Sequence, residues 1–190
     1  MGLDSNACRL LLLAKRRGAV FTQTLTLGRL ALRLNRRMMR RIFDEFSIPT
    51  SEPCLARVFS DPLGFSEPFL HELGAKRIDS VDATNYEGAS IVQDLNSGLP
   101  QSSLGKYDAV IDGGTLEHVF NFPAAFKGSM SSLRVGGCFL LPPNAITPWG
   151  TVFINSVLSY IFVFFLKKMV SPWKTCSLLK AHSEWCHGIS

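Results

Sequence analysis

The sequence predicts an α/β domain: a parallel sheet flanked by helices, incomplete at its C-terminal end, with a basic helical extension in front. Three observations carry this. From residue 55 to 144, short apolar runs, several closing on Asp, alternate with helical patterns, and that alternation implies a parallel sheet with helices on its faces. The chain has 190 residues and 46% hydrophobic content, enough for one domain with a real core. Beyond residue 144 the alternation stops.

Taken in order, residues 5–18 and 28–43 carry Arg on one side and Leu, Met and Ile on the other, with Gly18 and Gly28 as punctuation, which predicts two amphipathic helices. Residues 1–47 thus read as the basic extension. Residues 48–54, with Pro49 and Pro53, read as a linker. Residues 55–60 read as a first short strand. A helix over 68–73 ends at Gly74, a usual glycine stop. Strands follow over 78–82, 89–92 and 107–112, then a helix over 123–133, Gly136–Gly137, and a strand over 138–141.

Charge is uneven. Residues 1–43 hold ten Arg or Lys and one Asp, whereas the remainder holds ten against fourteen acids. A basic arm on a mildly acidic body suits an anionic partner or a solvated helical face. The arm lacks the interleaved aromatics that stack on bases, which argues against nucleic acid. Five cysteines without a CxxC pair or a neighbouring His cluster predict no metal site, no disulfide framework and a cytoplasmic setting. The apolar run 10–14 is too short for a signal peptide and is followed at once by three basic residues.

The tail, 145–190, is atypical. Residues 149–166 hold eighteen residues without a charge, followed by Lys167 and Lys168. Two readings fit. One is a membrane helix over about 152–166, short against the roughly 20 residues a bilayer needs and interrupted by Asn155 and Ser156; it would make the protein membrane-associated. The other is translation out of frame from about residue 145, because a shifted reading with permitted codons yields a polar peptide with helix and turn signals. The gene's nucleotide sequence separates them.

The segment Tyr107-Asp-Ala-Val-Ile-Asp-Gly-Gly-Thr-Leu-Glu-His-Val119, followed by Leu133-Arg-Val-Gly-Gly-Cys-Phe-Leu-Leu-Pro-Pro-Asn144, resembles the class I S-adenosylmethionine (SAM)-dependent methyltransferases of the type 11 kind. The resemblance covers about residues 55–144 and implies a Rossmann-like sheet and methyl transfer from SAM to a small-molecule or glycan-type acceptor. It implies that Asp82 binds the ribose hydroxyls and Asp94 the adenine amino group. Asp112 and Gly113 would lie by the methionine part, with His118 as the acid–base residue. Ligands of open parallel sheets sit at the carboxyl ends of the strands, where these acids fall, although strand-end Asp residues also cap turns.

Two features depart from the family. The glycine-rich loop after the first strand corresponds here to Phe59-Ser-Asp-Pro-Leu-Gly-Phe-Ser66, with Asp61 and Gly64 its only matching residues. Fewer glycines leave side chains where the backbone should approach the cofactor. The second is the tail. Together they keep a non-catalytic methyltransferase-like remnant in view beside the enzyme.

Overall fold

The computed structural model describes residues 1–141 and the backbone of one further strand, Val163–Phe165; the rest of the tail, including most of the proposed membrane helix and out-of-frame segment, lies outside the described residues. Among the described residues no helix is long and apolar enough to cross a membrane.

The sheet is organised by a strand in the middle of the basic N-terminal region. In chain order the strands are β1 (Gly2–Leu3), β2 (Gln23–Leu27), β3 (Ala31–Leu32), β4 (Arg77–Asp82), β5 (Ile91–Val92), β6 (Tyr107–Asp112), β7 (Leu133–Leu140) and β8 (Val163–Phe165). The main sheet has the order β5-β4-β2-β6-β7-β8. β5, β4, β2, β6 and β7 run parallel, and β8 is antiparallel to β7. β1 and β3 pair separately, in parallel. This is the expected α/β, Rossmann-like arrangement.

The helices are α1 (Ser5–Arg16), α2 (Arg36–Glu45), α3 (Glu52–Val58), α4 (Glu67–Glu72) and α5 (Phe122–Ser132). Asp4, Asn35, Ser51 and Asn121 cap α1, α2, α3 and α5 with side-chain oxygens that accept a backbone N–H of the first turn, satisfying donors a helix leaves open. α1 to α4 cover one face, packing on Ala109, Ile111, Cys138 and Leu140. α5 covers the other, with Leu25, Leu27, Val81, Val110 and Phe139 beneath it. The alternation of Ala109, Val110 and Ile111 between faces is the two-residue period of a strand buried on both sides.

Several local expectations are corrected. Residues 55–60 are not a strand: Cys54, Leu55 and Val58 form the buried stripe of α3, because Ser51-Glu52-Pro53 is a helix start with cap, first-turn acid and proline. The residues expected as linker therefore run into this helix. The second basic helix begins at Arg36 rather than 28: Gly28 has φ +76° and Ala31–Leu32 is extended. Residues 1–47 carry both basic helices and also β2, the strand flanked by β4 and β6. The predicted strands over 78–82 and 107–112 and the helices over 68–73 and 123–133 agree with β4, β6, α4 and α5 to within a residue or so. The strand over 89–92 contracts to β5. The last one belongs to β7, which starts earlier and is irregular: Tyr107 pairs with Leu133 but Ala109 with Cys138, and Gly136 there has φ +86°.

The amino ends of the strands hold a charged network. Asp79, almost buried, accepts the Tyr107 hydroxyl at 2.8 Å, the Lys106 ammonium at 2.8 Å and Arg77 Nε at 3.2 Å. Burial opposes its charge, yet these bonds together hold its carboxyl below the usual range. Asp108 accepts the Gln23 backbone N–H at 2.7 Å and pairs with Arg134.

Candidate functional site at the carboxyl edge of the sheet

Chain order reverses between β2 and β6: from β2 the chain builds outward through β4 and β5, and from β6 through β7. The crevice outside the carboxyl ends at such a reversal is where open α/β sheets bind ligands. Its walls are the turn after β2, Gly28-Arg29-Leu30, and the turn after β6, Gly113-Gly114-Thr115.

The acids singled out in the sequence line this edge. Register pairs Leu27 with Val81 on one side and with Asp112 on the other, so Asp82 and Asp112 flank the end of β2. With two strand spacings between them, their backbones are roughly 10 Å apart. Asp94 follows β5, the next strand beyond β4. The three share one edge, and each also stabilises its own turn. Asp82 accepts the Thr84 N–H at 3.2 Å, and Asp94 accepts the Asn96 N–H and side-chain amide, both at 2.8 Å.

Asp112 differs from the other two. It is 1% exposed, and Oδ1 accepts the N–H groups of Thr115, Gly114 and Leu116 at 2.7, 3.1 and 3.4 Å. Burial nevertheless pushes its carboxyl up to about 6, with Glu117 adding repulsion and the three N–H groups opposing the rise. Its side chain thus organises the turn. A Cβ on Gly113 would lie 2.6 Å from Leu30 Cδ2, so any larger residue there requires the Leu30 side chain to shift.

Asp61 and Gly64 do not follow the first strand, as the sequence comparison had them; they form the loop between α3 and α4. There Asp61 Oδ1 accepts the Leu63 and Phe65 N–H groups and Gly64 takes φ +76°. Arg29 nevertheless ties this loop to the edge. Its guanidinium lies 2.6 Å from Glu67 and 3.9 Å from Asp61, donates to the Glu87 carbonyl at 2.8 Å, and sits 3.9 Å over the Phe65 ring. His118 ends the 3-10 turn Leu116–His118, is 70% exposed in its side chain, and lies 3.3 Å from Glu117. Among the described residues, no three His, Cys, Asp or Glu side chains group as a metal site.

The chain itself covers the crevice. The Thr115 hydroxyl donates to the Leu27 carbonyl, bridging β2 and β6, and Met1 Sδ lies 2.8 Å from that hydroxyl oxygen of Thr115. The Gly2 N–H donates to the Gly113 carbonyl at 3.2 Å, and the Arg33 N–H to that of Leu3 at 2.8 Å. Gly28 faces Thr115 and Met1, whose atoms would stand 2.9 and 3.1 Å from an added Cβ. Sequence reasoning missed Met1, Gly28, Arg29 and Thr115. The usable signal was Thr24-Leu25-Thr26-Leu27 followed by Gly, a strand alternation with a turn residue at its end.

Comparison with protein-family models, with curated proteins and with solved structures gave no match.

Proposed function

We propose that this chain is a SAM-dependent methyltransferase domain of class I type, acting on a small-molecule or glycan-type acceptor. The observation that supports it most is that Asp82, Asp94 and Asp112 all fall along the carboxyl edge of the sheet, beside the reversal of chain order. Asp82 is partly exposed and keeps acceptor capacity after its Thr84 bond, which suits a pair of ribose hydroxyls. Asp94, exposed at the next strand, suits an amino group. Gly113 and the Asp112-ordered turn would face the amino-acid portion. SAM supplies an electrophilic methyl group, and such enzymes contribute mainly orientation and electrostatics. His118, exposed at the rim, is where an acceptor proton would be taken.

The nucleoside half of this site fits better than the amino-acid half. Met1, Leu30 and Thr115 fill the ground between Gly28 and Gly113, so residues 1–3 must move for the whole cofactor to enter. That closure favours a second reading, a non-catalytic domain that keeps the topology. Calorimetry of the intact chain with SAM separates the two. Micromolar binding weakened by Asp82→Ala supports the enzyme; no heat at millimolar SAM supports the non-catalytic domain.

A further inference from the structure

Five arginines fall between Arg33 and Arg41, and all five are exposed. Four of them belong to α2, whose apolar residues Met39, Ile42 and Phe43 are buried. At 3.6 residues per turn, those four stand on the outward arc of the helix. The margins of that arc are tied to the neighbouring helices. On one margin, Glu45 accepts Arg9 of α1 at 2.7 and 2.8 Å. On the other, Glu52 of α3 takes both Arg40 and Arg36, the latter at 4.0 Å. Arg37 and Arg41 lie between the margins, one turn apart. Among the described residues, Arg33, Arg37 and Arg41 have no acid partner. Asp44, on the same arc, accepts the Thr50 hydroxyl at 3.0 Å.

This arrangement opposes the stability of the helix itself. A helix favours acids in its first turn and bases in its last. α2 has the reverse, with Arg36 and Arg37 at its start and Asp44 and Glu45 at its end. Arg36 with Arg40, and Arg37 with Arg41, are like charges four residues apart, which repel. Solvation alone needs charge of either sign, not a run of one sign set against the dipole. An external anion relieves both penalties.

The arginines from 36 to 41 span about 8 Å of helix axis, within one screening length at physiological salt, so they act as one field. Guanidinium groups match phosphate with paired hydrogen bonds, and a basic cluster of this size on an amphipathic helix suits an anionic membrane leaflet. α2 packs against α1 and α3, so its outward arc is one strip of a helical layer rather than a protruding rod, which suits a surface better than a groove. That arc carries no aromatic side chain on which bases could stack. We infer that the outward face of α2 docks on anionic phospholipid headgroups. It does so by charge alone, since its apolar residues are already buried. The inference depends on neither the methyltransferase reading nor the tail.

The test sediments the full chain with vesicles of phosphatidylcholine alone and of phosphatidylcholine with phosphatidylserine, at about 0.15 M and about 1 M salt, between which the screening length falls from about 8 to about 3 Å. Binding is expected to the phosphatidylserine vesicles at the lower salt only. Arg37→Glu should weaken it at least about fivefold, and Arg37→Glu with Arg41→Glu at least about 25-fold, since each cation near an anionic leaflet strengthens binding by about fivefold. Lys127→Glu makes the same charge change as Arg37→Glu on α5, across the sheet, and should leave binding within about twofold. An acid at position 37 suits the helix start, so the thermal midpoint of Arg37→Glu should stay or rise, which shows that it folds. Should the double variant not fold, Arg37→Glu and the lipid and salt comparisons on the unsubstituted protein decide. Equal binding to neutral vesicles, no binding to anionic ones, or an equal loss in Lys127→Glu overturns the inference. So does tighter binding to a short DNA duplex than to the vesicles at equal phosphate concentration, which gives the patch to nucleic acid.

Discussion

Replacing Asp112 with Asn isolates the effect of burying a carboxyl at the end of the sheet. The side chain is 1% exposed, and burial lifts its carboxyl from 3.8 to about 6. That rise disfavours the ionised folded form by about 3 kcal/mol. The sign follows from proton binding. Between the unfolded and folded values the folded protein keeps a proton that the unfolded chain has released, so stability falls as pH rises. The favourable contribution is full below about pH 4 and gone above about pH 6 to 7. Asn keeps an oxygen for the Thr115, Gly114 and Leu116 N–H groups but has nothing to ionise. Urea unfolding followed by circular dichroism, from acid to neutral pH, gives the stability difference between the two proteins. That difference should swing by about 3 kcal/mol in favour of Asp112→Asn on going from about pH 4 to pH 7. Shifts elsewhere, such as the lowered Asp79 carboxyl, are common to both proteins and cancel. A difference that stays constant across the range would refute the reasoning.

Three further substitutions probe other parts. Gly128→Ala puts a Cβ 2.7 Å from the Leu99 backbone nitrogen, so a net loss of about 1–3 kcal/mol should outweigh the gain in helix propensity; a thermal midpoint that stays or rises counts against it. Tyr107→Phe removes the hydroxyl bonded to Asp79 and lying 3.2 Å from Lys106, and chemical unfolding should register a loss of about 1–2 kcal/mol; neutrality would mean that water or Lys106 replaces it. Gly2→Val sets a Cβ 2.6 Å from the Ala31 carbonyl and should dislodge β1 from β3. If residues 1–3 cover the amino-acid half of the crevice, SAM affinity by calorimetry rises roughly tenfold as the closed state loses population; unchanged affinity removes the covering role.

The strand over 107–112 is readable because its apolar run is bounded by Gly105 on one side and Gly113–Gly114 on the other, and all six of its residues are buried. The central strand was not readable in the same way. Thr24 and Thr26 are 0% and 3% exposed, on the face covered by α1 to α4, yet on paper they look like the polar side of an amphipathic segment. The Thr24 hydroxyl is satisfied locally, donating to the Phe21 carbonyl at 2.7 Å, so burial needs no distant partner that sequence spacing could reveal. Arginine-rich flanks completed the impression of a helical arm. Residues 55–60 went the other way: a short apolar run looked like a strand, but the Ser51 cap and Pro53 made it a helix.

What the sequence determined by itself was the class of fold and the edge where acids collect. Alternating strand and helix patterns force parallel pairing, and an Asp that closes a strand stands at its carboxyl end however the strands are ordered. Tertiary structure decided which strand lies at the centre, whether each acid turns toward solvent or into its own turn, and what covers the crevice. Those outcomes depend on groups far apart in the chain, such as Gly2 on Gly113 and Thr115 on Leu27. Local periodicity carries no information about pairings closed over 88 residues or more, because only the assembled sheet brings those groups within hydrogen-bond reach.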